Sequence, residues 1–355
     1  MHTSTLWNSN SVFTEPMLIV PLKTPLPPLP TEILTHIFTL TTTIDSGASI
    51  RSLLRVSQIF HDICAPLKYH CLSLTTGSSI EHLHQELKRL ENSPAHLRRI
   101  LHLYISLSQS DIQGDTECDT ISHIFYILQS AAETLRTLTF IYHNTVFSTS
   151  VLGQLLRKSF PVLTELTIHG FYPFPSPMPP SELPTLIEMN KSFMPMLERL
   201  HLSGNRNPYG LLQLSSLDEC FPSLSHLRIS GLLMAGSFVE ELKSALEEHI
   251  AYDDNPKDPC NTPTYVQAKL PCRLRCIVLQ PGFMPPSSRP GVAGSAVQKN
   301  SWMMTRLKDI EEAAKRRQNV LVTLKARMQD PDKVPVSSVL HRDWFGRMNG
   351  DEGCW

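Results

Sequence analysis

Three stretches of the chain align without gaps: FPVLTELTIHG at 160–170, MPMLERLHLSG at 194–204 and FPSLSHLRISG at 221–231. Each contains Leu-x-x-Leu-x-(Leu/Ile)-x-Gly, in which apolar residues alternate with other residues as they do along a half-buried strand. The pattern begins at Leu163, Leu197 and Leu224, so the copies are 34 and 27 residues apart. Weaker copies begin at Leu135 and Leu274. These internal repeats predict stacked units that share one apolar core, each a strand with its connection.

The repeated pattern resembles the strand portion of a leucine-rich repeat. The resemblance implies an α/β fold in which residues 75–280 form an irregular solenoid. Its leucines would point inward, and the variable part of each repeat, which tolerates the irregular spacing, would lie on the convex side. Between the strands we predict helices at 121–132, 150–157, 184–193, 211–220 and 237–250.

A different pattern occupies residues 27–74. The stretch LPTEILTHIF at 29–38 predicts a short amphipathic helix, because proline suits a first helical turn and the apolar residues recur at helical spacing. After a polar gap at 41–49, the stretch LLRVSQIF at 53–60 predicts a second helix, which Pro66 bounds. In their order these features resemble the F-box, a compact helical module.

An F-box-like module followed by leucine-rich repeats resembles the substrate receptors of SCF-type cullin–RING ubiquitin ligases, and the arrangement resembles the F-box-like proteins of fungi. The resemblance implies that the module docks a Skp-type adaptor and that the repeats hold an unknown protein substrate near a ubiquitin-charged enzyme. The chain itself would not be an enzyme. The residues implied in adaptor binding are Leu29, Pro30, Ile33, Leu34, Ile37, Leu53, Val56 and Phe60.

Residues that alternate with the inward leucines would face the concave side of the repeats and stack into rows. The rows are polar and slightly basic, which favours a target with an acidic or phosphorylated element. An ordinary hydrated sheet face is the alternative interpretation. The candidate substrate-binding residues are Glu165, Thr167, His169, Arg199, His201, Ser203, His226, Arg228 and Ser230.

The composition of the 355 residues excludes several classes of function. The net charge of −1 provides no global basic field, so we expect no nucleic-acid or membrane partner. The eight cysteines are widely spread, which indicates reduced thiols and a cytoplasmic or nuclear location. The N-terminal region contains no apolar run long enough for a signal sequence or a membrane span.

A search for catalytic and metal motifs is negative. The sequence has no phosphate-binding loop, nucleophile elbow or His-Glu-x-x-His helix. The spacing of Cys260, Cys272 and Cys276 lacks a paired zinc knuckle, so we expect no cofactor. Two rival classes stay open. One is a leucine-rich-repeat interaction scaffold not attached to a ligase, in which Leu29 and Pro30 would be buried against the first repeat; the other is an enzyme with an unfamiliar site.

The two ends of the chain complete the predicted organisation. Residues 1–26 show no period and are interpreted as a flexible N-terminus. Residues 281–300 are rich in Pro, Gly and Ser and predict a linker. Apolar residues then recur at helical spacing over 301–330, which predicts an amphipathic helix that either caps the repeats or binds a partner. The last segment, 331–355, is predicted to be a flexible tail.

Overall fold

The computed structural model describes residues 29–107, 116–173, 192–213, 216–254, 268–284, 293–317, 319–353 and 355. The predicted N-terminus at 1–26 and most of the predicted helix at 184–193 lie outside these ranges. The strands are β1 (Cys71–Leu74), β2 (His102–Leu107), β3 (Thr137–Tyr142), β4 (Glu165–His169), β5 (Arg199–Ser203), β6 (His226–Leu232), β7 (Cys276–Pro281) and β8 (Leu321–Leu324). The helices are α1 (Thr31–Ile44), α2 (Ala48–Leu53), α3 (Gln58–Cys64), α4 (Gly77–Arg89), α5 (Thr116–Ala131), α6 (Ser148–Leu156), α7 (Ser216–Cys220), α8 (Gly236–Asp254), α9 (Ala293–Arg317) and α10 (Val336–Met348).

All eight strands form one parallel sheet, in which their spatial order is their order along the chain. The α/β class predicted from the sequence is therefore confirmed. Equivalent positions of the aligned repeats lie side by side: Leu166 pairs with Leu200, and Leu200 pairs with Leu227. The same register places Glu165 beside Arg199 and Arg199 beside His226.

One face of the sheet forms the core together with the connecting helices. Leu166, Leu200 and Leu227 are each at most 1% exposed and belong to one continuous cluster of buried side chains. Helices α4, α5, α8 and α9 contribute to the same cluster, for example through Ile80 and Leu307. Burying each such side chain stabilises the fold by roughly 2 kcal/mol, so the alternating leucines dictate which face turns inward.

A glycine ends each aligned repeat, and at Gly204 the backbones of two successive repeats approach closely. The φ angle of Gly170 is +147° and that of Gly204 is +109°, both in the region that favours glycine. A Cβ atom on Gly204 would lie 2.5 Å from the carbonyl oxygen of Gly170. The repeated glycine therefore permits the stacking that the repeated leucines drive.

The first three helices have a small core of their own. It contains Phe38, Ile50, Ile63, Cys64 and Leu67, and it is separate from the core of the sheet. The polar gap predicted at 41–49 is shorter than expected, because α1 continues to Ile44 and α2 begins at Ala48. The third helix begins at a side-chain cap: the Ser57 hydroxyl accepts a hydrogen bond from the backbone N–H of Phe60 at 3.2 Å.

The structure differs from the prediction in the last quarter of the chain. Helix α9 begins at Ala293, inside the predicted linker 281–300, and ends at Arg317 instead of near 330. The prediction of a helix beyond Arg317 is wrong because 321–324 forms β8, which pairs with β7 and buries Val322. Helical spacing continued across this strand by coincidence.

The flexible tail predicted at 331–355 is also wrong for most of its length. Helix α10 lies on the sheet face opposite the core, where Leu340 (5% exposed) and Trp344 (4% exposed) pack against Cys71, Tyr104 and Ile141. The helix ends where Gly350 takes a φ of +90° and the backbone N–H of Asp351 donates to the carbonyl of Gly346 at 2.9 Å. Burial of two large apolar side chains is sufficient reason for this segment to be ordered.

Candidate functional site

An apolar stripe is exposed on the N-terminal helices. We define this stripe as Leu29, just before α1, then Ile33, Ile37, Leu40 and Ile44 on α1, and Val56 and Ile59, just before and just inside α3. Leu29 is 55% exposed and Val56 is 63% exposed, although each is a large apolar side chain. The spacing of four, three and four residues places the four α1 members, Ile33, Ile37, Leu40 and Ile44, on one side of that helix. A contiguous exposed apolar surface is typical of a protein–protein interface.

The eight residues implied in adaptor binding divide into two groups. Five are exposed: Leu29, Pro30, Ile33, Ile37 and Val56. The other three, Leu34, Leu53 and Phe60, are partly buried and pack against the small core of the module. Phe60, for example, meets Phe38 edge to face with ring centroids 5.0 Å apart. These three side chains support the surface and contribute little to it.

Sequence reasoning missed three members of the apolar stripe: Leu40, Ile44 and Ile59. The signal for Leu40 and Ile44 was present, because the positions 33, 37, 40 and 44 continue one helical face. The threonines between them suggested a linker and concealed that continuity. Ile59 lies between the motif residues Val56 and Phe60 and was not counted among them.

The second surface is the sheet face opposite the core, which we call the polar face. It carries the nine candidate substrate-binding residues. Glu165, Thr167, His169, Arg199 and His226 are partly exposed, whereas His201, Ser203, Arg228 and Ser230 are buried. The buried four cannot contact an outside ligand in this arrangement.

Hydrogen bonds connect the buried members of the polar face. His169 Nδ1 lies 3.1 Å from Ser203 Oγ, and His201 Nε2 lies 2.9 Å from Ser230 Oγ. The Arg228 guanidinium donates to Ser230 Oγ at 3.1 Å and to Gln280 Oε1 at 2.7 Å. Although each histidine adjoins a serine hydroxyl, Ser203 and Ser230 are only 2% exposed, so neither hydroxyl is presented to a substrate as a nucleophile.

Burial keeps the histidines of the polar face uncharged at neutral pH. Loss of solvent lowers the pKa of His169 to about 4, with a smaller contribution from His143. The pKa of His201 is lowered well below its ordinary value by burial and then by Arg228. Burial also lowers the pKa of His226. The positive charge of this face therefore comes from arginines alone.

The C-terminal segment covers part of the polar face and balances its charges. The Glu165 carboxylate accepts hydrogen bonds from Arg347 Nε of α10 at 3.1 Å and from Arg199 at 3.4 Å. Arg347 Nη2 contacts the same carboxylate. Burial raises the pKa of Asp343 of α10, and the nearby charges of Arg228, Arg342 and Lys325 oppose this rise. Helix α10 thus places a cation beside an anion of the polar face and an anion near one of its cations, and the net charge of these five groups stays at +1.

Aromatic side chains also contribute to the contact between the C-terminal segment and the polar face. The Tyr104 hydroxyl donates to the carbonyl of Ser337 at 2.9 Å, and His341 Nε2 lies 3.2 Å from Ser73 Oγ. The Trp355 ring centroid lies 6.0 Å from the Arg199 guanidinium, within cation–π range. A cavity of only about 20 Å³ remains between α10 and the sheet.

Comparisons of the chain with protein-family models, with curated proteins and with solved structures found no match. Among the residues that the structure describes, no three His, Cys, Asp or Glu side chains are grouped so as to hold a metal ion. Cys260, one of the three cysteines considered above as zinc ligands, lies outside the described residues. Within the same ranges, no helix has both the length and the apolar character that a membrane span requires.

Proposed function

We propose that this protein is a substrate receptor of an SCF-type ubiquitin ligase. In this proposal the helices α1–α3 form an F-box-like module that docks a Skp-type adaptor, and β1–β8 with their connections form a leucine-rich-repeat solenoid that holds a protein substrate. The protein acts by raising the local concentration of its substrate near a ubiquitin-charged enzyme, without bond chemistry of its own. It works in the cytoplasm or the nucleus.

The apolar stripe is the observation that carries the proposal. Seven large apolar side chains stay in solvent while the same three helices bury a core of their own. Exposure of this much apolar surface to water is unfavourable. A partner that covers it would gain roughly 25 cal/mol for each Å² of apolar surface removed from water. The exposed Leu29 and Pro30 belong to the motif that resembles the F-box.

The rival scaffold interpretation requires Leu29 and Pro30 to be buried against the first repeat. Both are exposed, and the module core is separate from the sheet core. These two observations favour a docking module over a simple cap. The stack of parallel strands in chain order, with equivalent leucines in register, supports the solenoid part of the proposal.

Co-purification with the Skp-type adaptor tests the proposal. We expect the full chain to capture the adaptor at one-to-one stoichiometry. An Ile33→Asp/Val56→Asp variant should lose at least tenfold in affinity, because two charges would have to be desolvated in the interface. Circular dichroism checks that the variant is folded.

The matched control is Val146→Asp, which introduces the same charge at a residue that is 78% exposed and lies outside the module. It should bind the adaptor as the wild type does. If the wild type does not capture the adaptor, or if the double variant binds equally well, the receptor proposal is wrong and the scaffold interpretation replaces it.

A further inference from the structure

We propose that the polar face is a binding surface for an amphipathic helix of a partner protein, and that α10 is an internal ligand which the partner helix displaces. The partner helix would carry the pattern Leu-x-x-Asp-(Trp/Phe)-x-x-Arg, which α10 presents as LHRDWFGR at 340–347. Only the identification of this partner as the substrate rests on the proposed function.

The apolar half of the contact defines the first requirement for the partner. Leu340 and Trp344 are four residues apart and therefore lie on one side of α10. They enter a surface made by Cys71, Tyr104 and Ile141 from β1, β2 and β3. This apolar area is on the side of the sheet away from the main core, so it can be uncovered without opening that core.

The charged half of the contact fixes the direction of the helix. Arg347 reaches Glu165 on β4, which also accepts from Arg199, and Asp343 lies near Arg228 on β6. A cation and an anion of the helix are thus matched by an anion and a cation of the sheet. A helix docked in the reverse direction would bring like charges together, so the charges select orientation and partner.

The internal helix is an imperfect ligand, which is why we infer exchange. Trp344 Nε1 is buried without a hydrogen-bond partner in the part of the chain that the structure describes. A buried donor without an acceptor weakens binding. A partner helix with phenylalanine at this position, or with its own acceptor nearby, would avoid that loss.

The connection between β8 and α10 allows α10 to dissociate from the sheet. The chain after β8 is held to the sheet by backbone hydrogen bonds from Lys325 to Leu279 and from Met328 to Pro281. Between that anchor and Val336 the segment 329–335 contains a turn but no helix or strand. Displacement of α10 therefore needs rearrangement of this short connection and loss of the contacts that α10 makes with α1 and the sheet, and β1–β8 can keep their pairing.

A labelled peptide of residues 334–350 tests the inference by fluorescence anisotropy. Tethering gives α10 an effective concentration in the millimolar range, so the wild-type chain should bind the peptide weakly. A full-length Leu340→Asp/Arg347→Glu variant changes only the helix and leaves the sheet surface intact. We expect it to bind the peptide at least tenfold more tightly than the wild type. Equal binding by the two proteins overturns the inference.

A charge swap tests the specificity of that binding. Adding Glu165→Lys to the double variant should weaken capture of the wild-type peptide at least tenfold, and a peptide with Arg347→Glu should restore it. Unchanged capture after Glu165→Lys would place the peptide elsewhere and overturn the inference.

Hydrogen exchange on the wild-type chain provides a readout without any variant. If α10 is exchangeable, its amides should exchange at least tenfold faster than those of β3–β5 under native conditions. Exchange of α10 only by global unfolding would overturn the inference. The adaptor is absent from all three measurements, so their outcome and that of the adaptor capture are read independently.

Discussion

Gly204 stands where two successive repeats touch, and its replacement tests the stacking directly. We predict that Gly204→Ala lowers the free energy of unfolding by at least about 2 kcal/mol, because a Cβ in this backbone conformation is strained and would meet the carbonyl of Gly170. Urea denaturation measures the change.

The matched control is Gly350→Ala. Gly350 also has a positive φ, of +90°, but a Cβ there would meet nothing within 4 Å. The free energy of unfolding should fall only by the cost of placing an L-residue at positive φ, about 1 kcal/mol. Equal losses for the two substitutions would mean that the close approach between repeats does not contribute.

At the scale of single elements, α3 depends on one side chain for its start. Ser57 is extended, and its side chain accepts a hydrogen bond from the backbone N–H of Phe60. We predict that Ser57→Ala destabilises the protein by about 1 kcal/mol in urea denaturation, whereas Ser57→Asp retains stability because it preserves an acceptor at the cap. If Ser57→Asp is as destabilising as Ser57→Ala, the hydroxyl has another role.

Elements differ in how far their sequences define them. The strands β3–β7 were predictable because each carries the leucine pattern, and the register of the aligned copies followed from it. Strand β8 has only four residues, without the repeat or its glycine, and its neighbour β7 is more than 35 residues earlier in the chain. Its run VLVTL at 320–324, rich in β-branched residues, was a local strand signal, but it is short and the helical spacing around it was followed instead.

Helix α10 was missed for a related reason. Its buried residues Leu340 and Trp344 are two among many charged and polar neighbours, and their partners Tyr104 and Ile141 lie about 200 residues away in sequence. The composition of the polar face was predictable, but its occupation by the chain's own helix depends on that long-range contact. Four of the seven members of the apolar stripe were predicted. Leu40 and Ile44 were missed because α1 continues through threonines that are typical of a linker.

Across the whole molecule, buried histidines on three strands or their edges couple stability to pH. Burial lowers the pKa values of His70, His102 and His169 to about 4, and nearby arginines add to the effect at His70 and His102. The ordinary value is 6.5, so between pH 6.5 and 4 the unfolded chain binds protons that the folded chain does not. The stabilising contribution is complete above pH 6.5 and is lost as the pH falls below it.

We therefore predict a lower free energy of unfolding at pH 5 than at pH 7.5. His70→Leu should reduce this difference by on the order of 1–2 kcal/mol, because it removes one group that must stay neutral when folded. Urea denaturation at the two pH values decides; equal pH dependence in His70→Leu and wild type would contradict the assignment.

The order of the strands has a consequence for how this protein can change in length during evolution. Each strand pairs only with the strands next to it along the chain, and the connections already vary, with 29 residues between β4 and β5 and 22 between β5 and β6. A duplication or loss of one strand with its connection would leave the remaining pairs in their registers. The module and α10 set one limit of such growth, because α10 contacts both α1 and the sheet. Asp343 of α10 also lies near Arg228 on β6. Descendants with more or fewer repeats should therefore vary between β6 and β8, beyond the strands that α10 reaches.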